Sequence, residues 1–110
     1  MLKLTLTATD GEASFNLYEA HTWWQRLRGL HAVPGLAALW LKPCRSIHTL
    51  TLREPVSLLW LDAEQQLLAI DRDVPPRRIR YHRSAFSVIE IPWPGLTRLS
   101  DPLLLTYLGE

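Results

Sequence analysis

The nine residues Leu41-Lys42-Pro43-Cys44-Arg45-Ser46-Ile47-His48-Thr49 hold the only cysteine of the chain, one of its four histidines, two cations and two hydroxyls. A thiol beside an imidazole is the material of a nucleophile and its base, because a neighbouring imidazole favours the thiolate. Spacing weighs against the simple version. In an extended strand, positions four apart are separated by about 13 Å at ~3.3 Å per residue, so Cys44 and His48 meet only if Arg45-Ser46 forms a bulge or turn. No carboxylate is evident to orient the imidazole. The plainer alternative is a small buried cysteine beside a hydrogen-bonded histidine, since cysteine is among the most buried residue types. An enzyme using Cys44 and His48 is therefore the second reading, and no residue is assigned a catalytic role.

A metal centre would have to draw on His21, His31, Cys44, His48 and His82. None of their spacings is that of a zinc finger or an HExxH helix, and a zinc site needs three or four convergent ligands. No metal and no cofactor are assigned. Binding fits the residue types better. Arg45 and Arg53 carry guanidinium forks suited to a carboxylate or phosphate, and neutral His48 offers one donor and one acceptor. Ser46 and Thr49 add supporting hydroxyls. These five residues, Arg45, Ser46, His48, Thr49 and Arg53, form the candidate ligand-binding set, for a small polar or anionic ligand or a partner chain.

A second basic stretch holds Arg72 and Arg77-Arg78-Ile79-Arg80-Tyr81-His82-Arg83. Arginine forks grip phosphates and Tyr81 could stack on a base. Asp71, Asp73 and Glu90 flank it, however, and the whole chain carries a formal charge of only +1. A solvated loop is the expectation, and nucleic acid is disfavoured because non-specific binding depends on a net basic surface.

The elements that must position these residues are mostly strands. Leu2, Leu4 and Leu6 alternate with polar residues, as do Ala13, Phe15 and Leu17, with the turn dipeptide Asp10-Gly11 between them. This pattern predicts a β-hairpin. The one helix candidate lies near residues 22–29. Thr22 and Gln25 are spaced as a capping box, Trp23 and Leu27 share a face, and Gly29 suits the terminating position. Leu36 to Leu41, Ile47 to Leu52, Val56 to Leu61, Leu67 to Ile70, Phe86 to Ile91 and Leu103 to Leu108 are further strands. Asp71 to Pro76 is a charged exit loop. Trp40 and Trp60 fall in apolar runs and belong to the core. Trp93, between Pro92 and Pro94, falls in a loop, either exposed for a ligand or partner or packed as a lid over the end of the sandwich. Many short strands with one short helix imply a mainly β domain, a small antiparallel sandwich or barrel.

At 110 residues the chain fits one domain, residues 1–110, with 47% apolar residues, an ordinary globular value. A single cysteine makes no internal disulfide, which suits a reducing, cytoplasmic setting. No basic n-region with a following apolar run marks a leader, and no run approaches the ~18 apolar residues of a membrane span.

Three blocks then carry a resemblance. Trp24-Gln25-Arg26-Leu27-Arg28-Gly29-Leu30, Pro43-Cys44-Arg45-Ser46-Ile47-His48-Thr49, and Pro55 with Leu59-Trp60-Leu61-Asp62 are similar in order and spacing to the DUF192 (UPF0127) family, over roughly His21 to Pro92. The resemblance implies a small β-rich, sandwich-like bacterial or archaeal protein with no established activity. Typical members continue His-Thr with Gly-Met-Arg-Phe-Pro-Ile-Asp. This chain has Leu50-Thr51-Leu52-Arg53-Glu54-Pro55-Val56-Ser57, with Ser57 where the family has Asp and Glu64-Gln65-Gln66 where a turn glycine is common. It resembles a divergent member.

Overall fold

The computed structural model describes residues 1–20 and 36–110. The helix expected over residues 22–29 lies outside them, as do His21, Trp23, Trp24 and His31. Among the described residues the fold is all-β, a curled and mostly antiparallel sheet that forms a half-barrel. Nine strands follow one another: β1 (Leu2–Ala8), β2 (Gly11–Glu19), β3 (Ala38–Leu41), β4 (Ser46–His48), β5 (Val56–Leu61), β6 (Leu67–Val74), β7 (Ile79–Tyr81), β8 (Ser87–Pro92) and β9 (Leu104–Gly109). Seven of them make the large sheet in the order β6-β5-β8-β3-β2-β1-β9, and β4 pairs with β7 in a separate ribbon.

The expected hairpin is present. Leu2 pairs with Leu17, Leu4 with Phe15 and Leu6 with Ala13. Its turn residues are Thr9 and Asp10, because Ala8 already faces Gly11 across the ladder. Gly11 takes φ of 151°, a conformation side-chain-bearing residues rarely adopt, which explains glycine at that position. Ser100 then ties down the turn, donating to Asp10 through its amide and its hydroxyl at 3.1 and 2.7 Å. These bonds to the charged carboxylate hold Asp10 below the usual carboxylate range.

All seven strands of the large sheet send side chains to one inner cluster, which includes Leu4, Phe15, Trp40, Leu59, Ile89 and Ile91. A second cluster lies on the outer face, with Leu39, Leu41, Val56, Leu58, Trp60 and Val88. It is covered by Ile47 of β4, by Ala85, and by the half-buried Cys44 and Leu52. The central strands β3, β5 and β8 are thus buried on both faces. That is why they are continuous apolar runs, while β1 and β2 near the edge alternate. The two core indoles have their donors satisfied, Trp40 by the Ser87 hydroxyl at 3.0 Å and Trp60 by the Asp71 carboxylate at 2.9 Å. Trp93 is exposed.

Three elements differ from expectation. The strand expected over Ile47 to Leu52 stops at His48, because Thr49 turns the chain and its carbonyl accepts the Leu52 amide. The segment 71–74, expected as an exit loop, instead continues β6 through a bulge. Val56 faces Val74 and Leu58 faces Asp71, so Arg72 and Asp73 lie opposite Ser57 alone. Asp73 has φ of 50°, and the buried Ser57 hydroxyl accepts its amide at 3.1 Å. Ser57, at the position where the DUF192 pattern has Asp, is here a bulge partner. Finally, Ile79 to Tyr81 is a strand where a loop was expected.

Candidate functional site

The β4–β7 ribbon carries most of the residues singled out by their chemistry. Ser46 faces Tyr81, Ile47 faces Arg80 and His48 faces Ile79. Since strand side chains alternate, Ile47 points into the second core and Ser46, His48, Ile79 and Tyr81 share the outward face. All four are exposed, and Tyr81 and Ile79 strongly so, at 63% and 69%. Arg45 precedes this face, and Arg77, Arg78 and Arg83 flank it on the other strand; all four are exposed. Arg53 is exposed on the loop that follows β4.

Four anchors hold the ribbon together and on the sheet. The Ile47 side chain is buried. The Cys44 amide donates to the Phe86 carbonyl at 2.8 Å and the His82 amide to the Arg45 carbonyl at 2.9 Å. The His82 ring lies 6.0 Å from the Trp60 ring, tilted by 33°. Thr49, 1% exposed, is the fourth. Its amide donates to the Arg78 carbonyl at 2.8 Å, and its hydroxyl donates to the Pro75 carbonyl at 2.7 Å while accepting the Arg78 amide at 2.8 Å. Its carbonyl also accepts the Arg77 amide at 3.1 Å. Arg77 has φ of 64°, so the turn is tight and depends on these bonds.

The candidate set therefore divides. Ser46 and His48 share the outward face of the ribbon, and exposed Arg45 stands immediately before it. Thr49 is buried beneath it and positions Arg77 and Arg78. Arg53 stands on the neighbouring loop. Cys44 and His48 spend their polar atoms on different backbone partners. The Cys44 thiol donates to the Ser46 carbonyl at 3.1 Å, and His48 Nδ1 accepts the Leu50 amide at 3.4 Å. Cys44 packs against the core while His48 faces outward. Among the described residues, no three His, Cys, Asp or Glu side chains are grouped as metal ligands.

The electrostatics of the ribbon are its strongest feature. Residues 42–53 and 77–83 contain seven of the twelve cationic residues and none of the eleven acidic ones, leaving five cations against eleven acids, a net −6, on the rest of the chain. Lys42 is tied down by Glu19 at 3.4 Å and by the Trp40 ring at 3.9 Å. Among the described residues, none of Arg45, Arg53, Arg77, Arg78, Arg80 and Arg83 makes an ion pair. Arg72 belongs elsewhere. Its guanidinium donates to the Leu96 and Leu99 carbonyls at 2.6 Å each and to Asp101 at 3.1 Å, so it is a strut for the loop before β9. Sequence reasoning grouped it with the other arginines because the bulge that turns it away is invisible in one dimension. An open groove of about 890 Å³ runs along β2, lined by Ser14, Phe15, Asn16 and Tyr18 and by the turn at Pro94 to Arg98; it includes none of the five candidate residues.

No family model and no curated protein matches the chain. Two solved structures share its fold. One is a protein of unknown function from Novosphingobium aromaticivorans, with a TM-score of 0.70 at 15% identity over 96% of this chain and 84% of that one. The other, from Sinorhizobium meliloti, is described as a "putative transcription regulator", with a TM-score of 0.69 at 17% identity over 94% of this chain and 92% of that one. At such identities the likeness is one of fold alone.

Proposed function

We propose that this protein is a non-catalytic binding domain that recognises an anionic ligand or partner on the outward side of the β4–β7 ribbon. The observation that carries the reading is the set of five exposed arginines, Arg45, Arg53, Arg77, Arg78 and Arg83, gathered in two acid-free stretches around Ser46 and His48 and, among the described residues, in no ion pair. A soluble surface with no such role intersperses both signs of charge. Here residues 42–53 and 77–83 hold seven cations and no acid, although exposed Glu54 directly follows the first of these stretches. Arginine forks donate paired hydrogen bonds to carboxylate or phosphate, and an outward His48 adds a further donor. The reading takes the chain as a divergent DUF192-type domain acting in the cytoplasm. The β-rich architecture agrees with that resemblance, and among the described residues no helix is long and apolar enough to cross a membrane.

The test is binding of polyanions at low salt. A fluorescent polyphosphate or heparin fragment is titrated into the wild type and into Arg45→Ala and Arg78→Ala. Each substitution should weaken binding by about 1.5–3 kcal/mol if its fork contacts the anion, the range for hydrogen bonds to charged groups. If neither arginine matters to binding while both variants melt early, the arginines serve only the turn and the proposal fails.

A further inference from the structure

We infer that the β4–β7 ribbon is a contact surface for single-stranded nucleic acid, an inference that rests on the anion-binding reading above and names its partner. Two features of the sequence weighed against nucleic acid, the near-neutral chain and the acids Asp71, Asp73 and Glu90 around the arginines. The fold removes most of both objections. Asp71 is engaged with the Trp60 indole, and Glu90 is buried on the outer sheet face between Leu39 and Leu58, so only Asp73 of the three is exposed. The net charge of +1 is an average over a basic ribbon and an acidic remainder. Phosphate binding responds to the local charge, and residues 42–53 and 77–83 carry seven cations and no acid.

The outward face then selects among polyanions. A surface for phosphate or carboxylate alone needs no flat apolar groups. This one sets Tyr81 beside Ile79 on β7, opposite Ser46 and His48, with both apolar side chains more than 60% exposed. An aromatic ring laid open between arginines is a stacking platform for an unpaired base, and every base has a face to offer it. In a duplex those faces are already stacked on one another, so the platform favours a single strand. The division of labour is plain. Arg45, Arg77, Arg78 and Arg83 hold the phosphates, Tyr81 stacks a base, and Thr49 holds the turn that presents Arg77 and Arg78.

The experiment measures fluorescence anisotropy with a labelled 20-nucleotide oligouridylate, a 20-base-pair DNA duplex and labelled polyglutamate, against wild type, Tyr81→Ala, Tyr81→Phe and Arg78→Glu. The oligouridylate should bind more tightly than the duplex and the polyglutamate. Its log K should fall against log salt with a slope of about −2 to −3.5, which corresponds to three to five phosphate contacts on a single strand. Tyr81→Ala should weaken it about tenfold, Tyr81→Phe should keep it, and polyglutamate should not distinguish the three. Arg78→Glu should weaken every probe. Tyr81 is exposed, so matched melting curves will show that its variants are folded. Equal binding of all three probes, indifferent to Tyr81, overturns the nucleic-acid inference and leaves the anion-binding reading standing. No binding of any probe at 50 mM salt overturns both.

Discussion

Thr49 and Arg78 exchange two hydrogen bonds and a longer approach. The Thr49 amide donates to the Arg78 carbonyl at 2.8 Å, the Arg78 amide donates to the Thr49 hydroxyl at 2.8 Å, and that hydroxyl also approaches the Arg78 carbonyl at 3.3 Å. The exchange extends the ribbon one residue beyond His48 by substituting a side chain for a strand. Thr49→Val keeps the shape and removes the hydroxyl, stranding the Arg78 amide and one bond of the Pro75 carbonyl. Denaturant unfolding should show a loss of about 1–3 kcal/mol, the cost of leaving buried partners unmade. Thr49→Ser keeps the hydroxyl and should recover most of it. Equal losses in the two variants would assign the effect to the methyl group instead.

Arg72 offers a contrast between a half-buried strut and a surface ion pair. Its guanidinium donates to two loop carbonyls, and its carboxylate partner Asp101 is 74% exposed. Arg72→Lys retains the charge but not the fork. It should lower stability by about 1–3 kcal/mol in thermal or urea melts, since at most one carbonyl can be reached. Asp101→Asn should change it by less than about 1 kcal/mol, because exposed ion pairs contribute little. If the Asp101 variant were the more damaging of the two, the strut assignment would be wrong.

Glu90 makes stability depend on pH. Burial raises its carboxyl from 4.5 to about 7, with Leu39 and Leu58 as its ladder neighbours and Tyr18 and Asp71 one strand further on the same face. In the folded chain the proton is held up to about pH 7, while the unfolded chain releases it near 4.5. The stabilisation from holding the proton is therefore complete below pH 4.5 and is lost as pH rises through 7. The difference across that window is about 3 kcal/mol. Urea midpoints should fall between pH 5 and 7.5 in the wild type. Glu90→Gln should flatten that slope and raise stability at pH 8. An unchanged slope in the Gln variant would mean that another group titrates.

Cys44 should behave as a packing residue. It is half-buried against the second core, and its thiol points to the Ser46 carbonyl. Iodoacetamide at neutral pH should modify it slowly in the folded protein and quickly in urea, with His48→Ala making no difference. Fast labelling of the native chain that His48→Ala abolishes would restore the enzyme reading.

Sequence carried the fold further than it carried the site, for reasons visible at particular residues. The hairpin from Leu2 to Leu17 was legible because one face is buried and the other is not. β3, β5 and β8 were legible as unbroken apolar runs because both faces are covered. β7 was not, since its pattern is inverted: Ile79 and Tyr81 point outward and Arg80 sits half-buried opposite Ile47. The end of β6 was hidden by its bulge, which places charged residues inside a strand. At the candidate site, Arg45, Ser46 and His48 were singled out by residue type. That Arg77 and Arg78 join them required the β4–β7 pairing, which spans some thirty residues and leaves no local periodicity. Thr49 was counted among ligand groups because a buried hydroxyl and an exposed one are the same letter.

The sheet order places β1 between β2 and β9, with Leu4 paired to Phe15 on one side and to Leu108 on the other. On a ribosome these two partners arrive at very different times. The β1–β2 hairpin can form as soon as it emerges, but its other edge waits, with unpaired amides and carbonyls, until Leu104–Gly109 has been made. Pairings so distant along the chain close slowly, because loop entropy is lost before any contact rewards it. Throughout that wait the naked edge of β1 is a template for strands of neighbouring nascent chains. The half-barrel is thus open to misassembly through β1 until β9 arrives, and the rate at which synthesis reaches β9 sets how long that exposure lasts.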